Sequence, residues 1–276
     1  MDKIDKLIRL KQIIKEHSPL AIAYSGGVDS TLLLSVAKEV LGPSELVAVT
    51  ASAPIFAGDE TCFSRKYCTE NDIKQLIVEI SWETLSKVEG FKENPKDRCY
   101  HCKKALVGTL MASTRNQRAV LAGGRNWTFA DGTNLDDMED YRPGFRAITE
   151  LGVISPLMEA GYTKDDIRME LKARGIEVWD KPAFACLASR IPYGEEITPE
   201  KLEAIYGLEK ALKAAGFTQL RVRHHGTVAR LELLQSEMAH ILEPSLREKM
   251  LEAGRTAGFT YVSLDLKGYE KGSLNK

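Results

Sequence analysis

The sequence predicts an α/β fold: a parallel sheet with helices on both faces, followed by a small C-terminal α+β domain. Three observations carry the prediction. Short apolar runs alternate with helix-periodic segments through the first 125 residues, the pattern of repeated βαβ units. Those runs are continuously apolar, as strands buried on both faces require. From Thr198 the pattern changes to a helix, two alternating segments about a glycine, and a second helix.

Each element has its own grounds. Over residues 2–16, Ile4, Leu7, Ile8, Ile13 and Ile14 cluster on one side of a helix. LAIAY (20–24) is the first strand. Beyond Gly26 and Gly27, Leu32, Leu33, Val36, Ala37 and Val40 recur at helical spacing until Gly42 stops the helix. LVAVT (46–50) and QLIVEI (75–80) are further strands, separated by a helix over GDETCFSRKYCTEND. A helix from about Cys99 to Ser113 leads to a fourth strand, AVLAGG (119–124). Residues 125–146 are polar, acidic and loop-like, long for a passive connection. Thr163 caps a helix over 164–174 that Gly175 ends, and 179–194 reads as irregular. Thr198-Pro199 starts a helix that ends near Gly216. TQLRVRHH and TVARLELL then form a hairpin, and a helix precedes TYVSLDLK (260–267). Gly-Phe-Thr at 216–218 and again at 258–260 hints at a duplicated unit. The expected domains are 1–194 and 195–276.

Composition narrows the function. A formal net charge of −1 provides no overall basic field for a nucleic-acid backbone. The first 18 residues are amphipathic and charged, without a signal-peptide core, and no apolar run is long enough to span a membrane. The expectation is a cytoplasmic protein, whose five cysteines are thiols or metal ligands rather than disulfides.

The first strand ends in Ser25-Gly26-Gly27-Val28-Asp29-Ser30-Thr31. A strand, glycine turn and helix expose backbone N–H groups at a helix N-terminus, where they cradle phosphate. Ser25, Ser30 and Thr31 add hydroxyls, and Asp29 can organise Mg²⁺ or cap the helix. TASAP (50–54), with Ala51, lies at the end of the second strand, where ligands of such sheets bind. The motif has neither the Gly-Lys-[Ser/Thr] of a Walker loop nor a Gly-x-Gly-x-x-Gly. It resembles the PP-loop, SGGxDS, of the ATP pyrophosphatases, which implies the adenine nucleotide alpha hydrolase-like fold. In that family ATP is cleaved between its α and β phosphates, a substrate oxygen is adenylated, and a nucleophile displaces AMP.

Cys99 and Cys102 stand in RCYHC, and Cys186 lies far downstream. Three thiolates are one short of a closed structural zinc site and suit a [4Fe–4S] cluster with one open iron. His101 or an outside ligand completing a zinc site is the alternative. Cys62 and Cys68 read as ordinary thiols.

With NPKDRCYHCK, DGTNLDDMEDYRPG, CLASRIPYG, RVRHHGTVARLEL and SLDLKGY, the chain resembles the LarE family along nearly its whole length. That family comprises ATP-dependent sulfurtransferases of nickel-pincer nucleotide cofactor synthesis, the cofactor of enzymes such as lactate racemase. The resemblance implies adenylation of the carboxylates of pyridinium-3,5-biscarboxylic acid mononucleotide and their conversion to thiocarboxylates, with ATP and Mg²⁺. It makes Cys186 the sulfur-bearing cysteine, a sacrificial donor in members that have only that one. Cys99 and Cys102 place this chain with the subgroup in which three cysteines hold a [4Fe–4S] cluster. By the same resemblance, Ser189 and Arg190 face the substrate, and Arg221 and Arg223 bind phosphate-like anions near a subunit interface. A solvated strand face is the plainer reading of the last two. Glu195, Glu232 and Asp265 are candidates for metal or substrate contact, and Asp131 and Gly132 for the nucleotide. A homo-oligomer is implied, with a hexamer as one form, and a sulfide source is an implied partner. The competing functions are a tRNA thiolase with a three-cysteine cluster, a module that only senses ATP or AMP, and a zinc-stabilised amide ligase.

Overall fold

The computed structural model describes residues 3–56, 58–117, 125–138, 143–182 and 185–270. The chain divides into two units: residues 1–53, 58–88 and 97–183 form the first, and 54–57, 89–96 and 184–276 the second.

The first unit is built on four parallel strands in the order β3-β2-β1-β4. These are β1 (Leu20–Ala23), β2 (Leu46–Ser52), β3 (Gln75–Glu79) and β4 (Thr128–Ala130). Leu20 pairs with Leu46 on one side and Thr128 on the other, so β1 is central. Leu20, Ala21 and Ile22 are wholly buried. Continuous apolarity is therefore what their position requires.

Helices α1 (Lys3–Glu16), α2 (Val28–Val40), α3 (Gly58–Glu70), α4 (Trp82–Ser86) and α5 (Arg98–Asn116) accompany the first three strands. α2 supplies Leu32, Leu33, Leu34, Val36 and Ala37 to the core. The buried stripe of α1 is Leu10, Ile13 and Ile14, whereas Ile4 and Ile8 are 68% and 60% exposed. The single apolar face expected for this helix is thus two rows, because positions 4 and 8 lie roughly 100° around the axis from the 7, 10 and 14 row.

The stretch expected as a loop over 125–146 contains β4 and a 3-10 turn at Leu135–Met138, and α6 (Pro143–Glu150) begins near its end. Three residues, Thr-Phe-Ala, are too few to show a strand pattern. The strand expected at 119–124 lies outside the described residues. Beyond β4 come α7 (Pro156–Glu159) and α8 (Lys164–Ala173). Thr163 closes α8 with a full capping box, in which cap hydroxyl and third-residue carboxylate each satisfy an orphan N–H.

In the second unit, β5 (Leu220–His225) and β6 (Val228–Leu233) form the antiparallel hairpin, and β7 (Tyr261–Leu264) runs parallel to β6. Against them lie α9 (Pro199–Ala214), the short α10 (Met238–Ile241) and α11 (Pro244–Thr256). The repeated Gly-Phe does the same work twice. Gly216 (φ +96°) and Gly258 (φ +95°) take the left-handed conformation just past α9 and α11, and Phe217 and Phe259 are each 3% exposed.

The second unit begins before the expected boundary and recruits two earlier segments by backbone bonds. Leu187 N–H donates to the Ile55 carbonyl at 2.8 Å, Gly194 N–H to Asn94, and Ile197 N–H to Lys92. The Asn94 side chain donates to the carbonyls of Ile191 and Pro192. Such pairings across about a hundred positions leave no periodic trace in sequence. Among the described residues no helix is long and apolar enough to cross a membrane.

Candidate active site

The sheet order makes the β1–β4 boundary a switch point, since the chain winds from β1 toward β3 on one side and β4 adds on the other. Ligands of open α/β sheets bind beyond the strand ends at that boundary. A cavity of about 300 Å³ lies there, at the small end of ligand sites. From the β1 end it is lined by Ser25, Gly27, Asp29 and Ser30, and from the β4 end by Asp131, Gly132 and Thr133. Lys103 of α5 forms another wall.

The turn leaves the start of α2 open. Gly26 has φ +74°, and Gly27 caps α2 without any side-chain cap bond. The N–H groups of the first helical turn thus have no side-chain cap. Ser25 Oγ accepts from Gly27 N–H at 3.3 Å and lies 3.3 Å from Ser30 Oγ. Val28 and Thr31 are buried, and the Thr31 hydroxyl donates to the Gly27 carbonyl at 2.8 Å, so their side chains shape the turn from within. Ala51 is half-buried near the end of β2.

Gly132 crosses close over this turn. A Cβ there would lie 2.8 Å from the Ser30 nitrogen, so only glycine leaves that N–H uncovered. The neighbouring Asp131 is buried and accepts from Thr133 N–H, the Thr133 hydroxyl and the Ser155 hydroxyl, at 3.1, 2.6 and 2.8 Å.

Two cations escaped the sequence reading. Lys164 Nζ donates to both oxygens of Asp29, at 2.7 and 2.6 Å, and Asn134 Nδ2 donates to one of them. Asp29 is therefore anchored on the cavity wall by α8 rather than capping α2. Lys103 Nζ lies 3.8 Å from Asp131 Oδ2. Its sequence signal was available: it stands four residues after Cys99, on the same face of α5. Lys164 gave none beyond following the cap residue.

Cys99, exposed, lies in the first turn of α5, and Cys102, buried, one turn further on. Their spacing puts both sulfurs on one helix face, and Arg98 Nη2 donates to Cys99 Sγ at 3.4 Å. A helix N-terminus and a guanidinium are positive surroundings that suit a thiolate-held, net-negative group. Cys186 belongs to the second unit and is half-buried. Among the described residues no three or more His, Cys, Asp or Glu side chains gather to hold a metal ion. Cys68 is a core thiol that burial pushes up to about 12, while Cys62 is exposed.

In the second unit the predicted arginines are buried and engaged. Arg190 Nε and Nη2 pair with the two Glu209 oxygens at 2.9 and 3.1 Å. Its Nη1 donates to the carbonyls of Ala185 and Cys186 and to Ser189 Oγ. Arg223 pairs side-on with Glu232 at 2.9 and 2.8 Å and donates to the Ser189 carbonyl. Arg221 is 8% exposed with Tyr269 5.1 Å from its guanidinium. Burial, then the like charge of Arg190, lowers its pKa. Glu232 is flanked by Arg223 and Arg230, Asp265 pairs with Arg230, and Glu195 lies 3.6 Å from Lys201. The buried carboxylates of this unit are thus balanced by guanidinium groups.

No protein-family model matches the chain. It is 40% identical over 271 residues to an uncharacterized protein of Synechocystis sp., covering 98% of this chain and 97% of that one. It is 32% identical over 272 residues to the pyridinium-3,5-bisthiocarboxylic acid mononucleotide synthase of Lactiplantibacillus plantarum, covering 98% and 94%. One of the polypeptides of the glutamine-hydrolyzing GMP synthase of Thermoplasma acidophilum is 27% identical over 195 residues, covering 67% of this chain and 60% of that polypeptide.

Proposed function

The chain belongs to the LarE family of pyridinium-3,5-bisthiocarboxylic acid mononucleotide synthases, and from that membership we propose that it inserts sulfur, at the expense of ATP, into pyridinium-3,5-biscarboxylic acid mononucleotide. The product is a precursor of a nickel-pincer nucleotide cofactor. The observation that carries the reading is the cavity at the β1–β4 boundary, where an uncapped helix N-terminus, Lys103 and a glycine at 132 combine.

The N–H groups following Gly27 face the ATP phosphates, with Lys103 beside them, so donors are aimed where charge develops before the reaction begins. Lys164 fixes Asp29 on the same wall, and Mg²⁺ enters with the triphosphate. A carboxylate oxygen of the substrate bonds to the α-phosphorus, the bond from that phosphorus to the bridging oxygen breaks, and pyrophosphate leaves. Sulfide adds to the acyl carbon, the carbon–oxygen bond to AMP breaks, and AMP leaves with a former carboxylate oxygen. The second carboxylate is treated in the same way. Cys99, Cys102 and Cys186 would hold a [4Fe–4S] cluster, which when bound keeps sulfide deprotonated and close. Residues near the cavity exclude water, because hydrolysis of the acyl adenylate would waste ATP. The chain acts as a cytoplasmic homo-oligomer on a small mononucleotide rather than on nucleic acid.

The test is pyrophosphate release with each candidate acceptor. Release stimulated by the pyridinium mononucleotide, and abolished in Lys164→Ala, supports the reading. Release stimulated by unmodified tRNA instead would replace it with tRNA thiolation, and release by neither would leave a nucleotide-sensing module.

A further inference from the structure

The turn that follows Cys186 is held by two buried arginines. Cys186 begins a 3-10 turn, Leu187–Arg190, and its carbonyl accepts from three donors: Ser189 N–H at 2.9 Å, Ser189 Oγ at 2.8 Å and Arg190 Nη1 at 3.0 Å. The preceding carbonyl, of Ala185, accepts from the same Nη1 at 2.6 Å. Arg223 Nη1 holds the Ser189 carbonyl at 2.6 Å, and Leu187 N–H is tied to Ile55. Among the described residues the bonds at Cys186 run through its backbone, and its sulfur is outside the clamp.

Arg190 can hold that geometry only if its own plane is fixed. Glu209, on α9, takes Nε and Nη2 side-on and directs Nη1 at the turn. The carboxylate is itself fixed, since Glu209 Oε1 also accepts from Val222 N–H of β5 at 3.1 Å. Arg190 is 1% and Glu209 4% exposed. A buried pair of this kind adds little stability over well-packed apolar residues of similar volume, whereas a planar, bidentate guanidinium adds directional precision.

We propose that Glu209 is a positioning residue for Cys186, acting through Arg190 to hold the backbone from which the reactive sulfur projects. The proposal rests on the sulfur-handling role read for Cys186. It makes Arg190 a brace on the cysteine rather than the substrate ligand expected from the sequence.

The experiment compares the full-length wild type with Glu209→Gln, which keeps shape and an acceptor for Val222 but removes the charge. Amide hydrogen exchange is read over 185–191, together with pyrophosphate release and sulfur transfer. The expected result is exchange about tenfold faster or more in that peptide, with the β5–β6 hairpin unchanged. Sulfur transfer should fall about tenfold while pyrophosphate release is kept, because misplacing a reacting group harms only the step that uses it. Arg190→Lys, which cannot reach both sides, should reproduce the pattern. Unchanged exchange at 185–191 overturns the proposal. So does faster exchange throughout the unit with both half-reactions falling together, the signature of a merely structural pair. Full sulfur transfer by Cys186→Ser would instead remove the role read for the cysteine, while exchange would still report whether Glu209 holds the turn.

Discussion

Gly132 shows how closely one residue controls the cavity. A methyl group there meets the Ser30 nitrogen at 2.8 Å, and backbone rather than a flexible side chain must move. Gly132→Ala should therefore lower the unfolding midpoint, at a cost of about 1–3 kcal/mol, and raise the KM for ATP by about tenfold or more, since the N–H proposed to face a phosphate is both covered and displaced. An ATP titration of initial rates checks this. Lys164 acts at the same scale by a different route. Its ion pair with Asp29 is 29% and 27% exposed, so solvent screens it and its removal should damage ATP use more than stability.

At the scale of elements, α8 is held at its start by two devices that share one carboxylate. Asp166 accepts from Thr163 N–H at 3.0 Å within the capping box and from Lys6 of α1 at 2.6 Å. Burial alone would raise the Asp166 pKa. The Lys6 ammonium and the Thr163 bonds outweigh it, and bring the group down from 3.8 to about 2. A carboxylate depressed in the folded state stabilises above its unfolded pKa and loses that contribution as pH falls through the folded value. Wild-type stability should thus show a decline between about pH 4 and about pH 2 that Asp166→Asn lacks, read by urea unfolding across that range. Thr163→Ala should cost about 1 kcal/mol at neutral pH, through loss of the cap. In the second unit, Gly216→Ala and Gly258→Ala each force alanine into positive φ, and each should cost about 1 kcal/mol or more in the same measurement.

Across the whole molecule, legibility followed sequence distance. The glycine turn was readable because its six defining residues are contiguous and its flanks have strand and helix patterns. The helix starts at Thr163 and Thr198 were readable because a cap is a local device; both hydroxyls accept from the backbone three residues on. β4 was not, because three residues carry no period. The membership of Ile55 and Asn94 in the second unit was not, because it rests on backbone bonds to residues near 190. The resemblance offers Arg190 and Arg223 as ligands of substrate and anion, but which carboxylate each meets is set by α9 and β6, and only the fold brings those together. The most direct test of the proposed function is mass spectrometry of small molecules after anaerobic incubation of the purified protein with ATP, Mg²⁺, sulfide and pyridinium-3,5-biscarboxylic acid mononucleotide. Oxygen-for-sulfur exchange at the carboxylates, beyond one equivalent per chain, is the expected result. No exchange, in protein shown to carry its cluster, would contradict it.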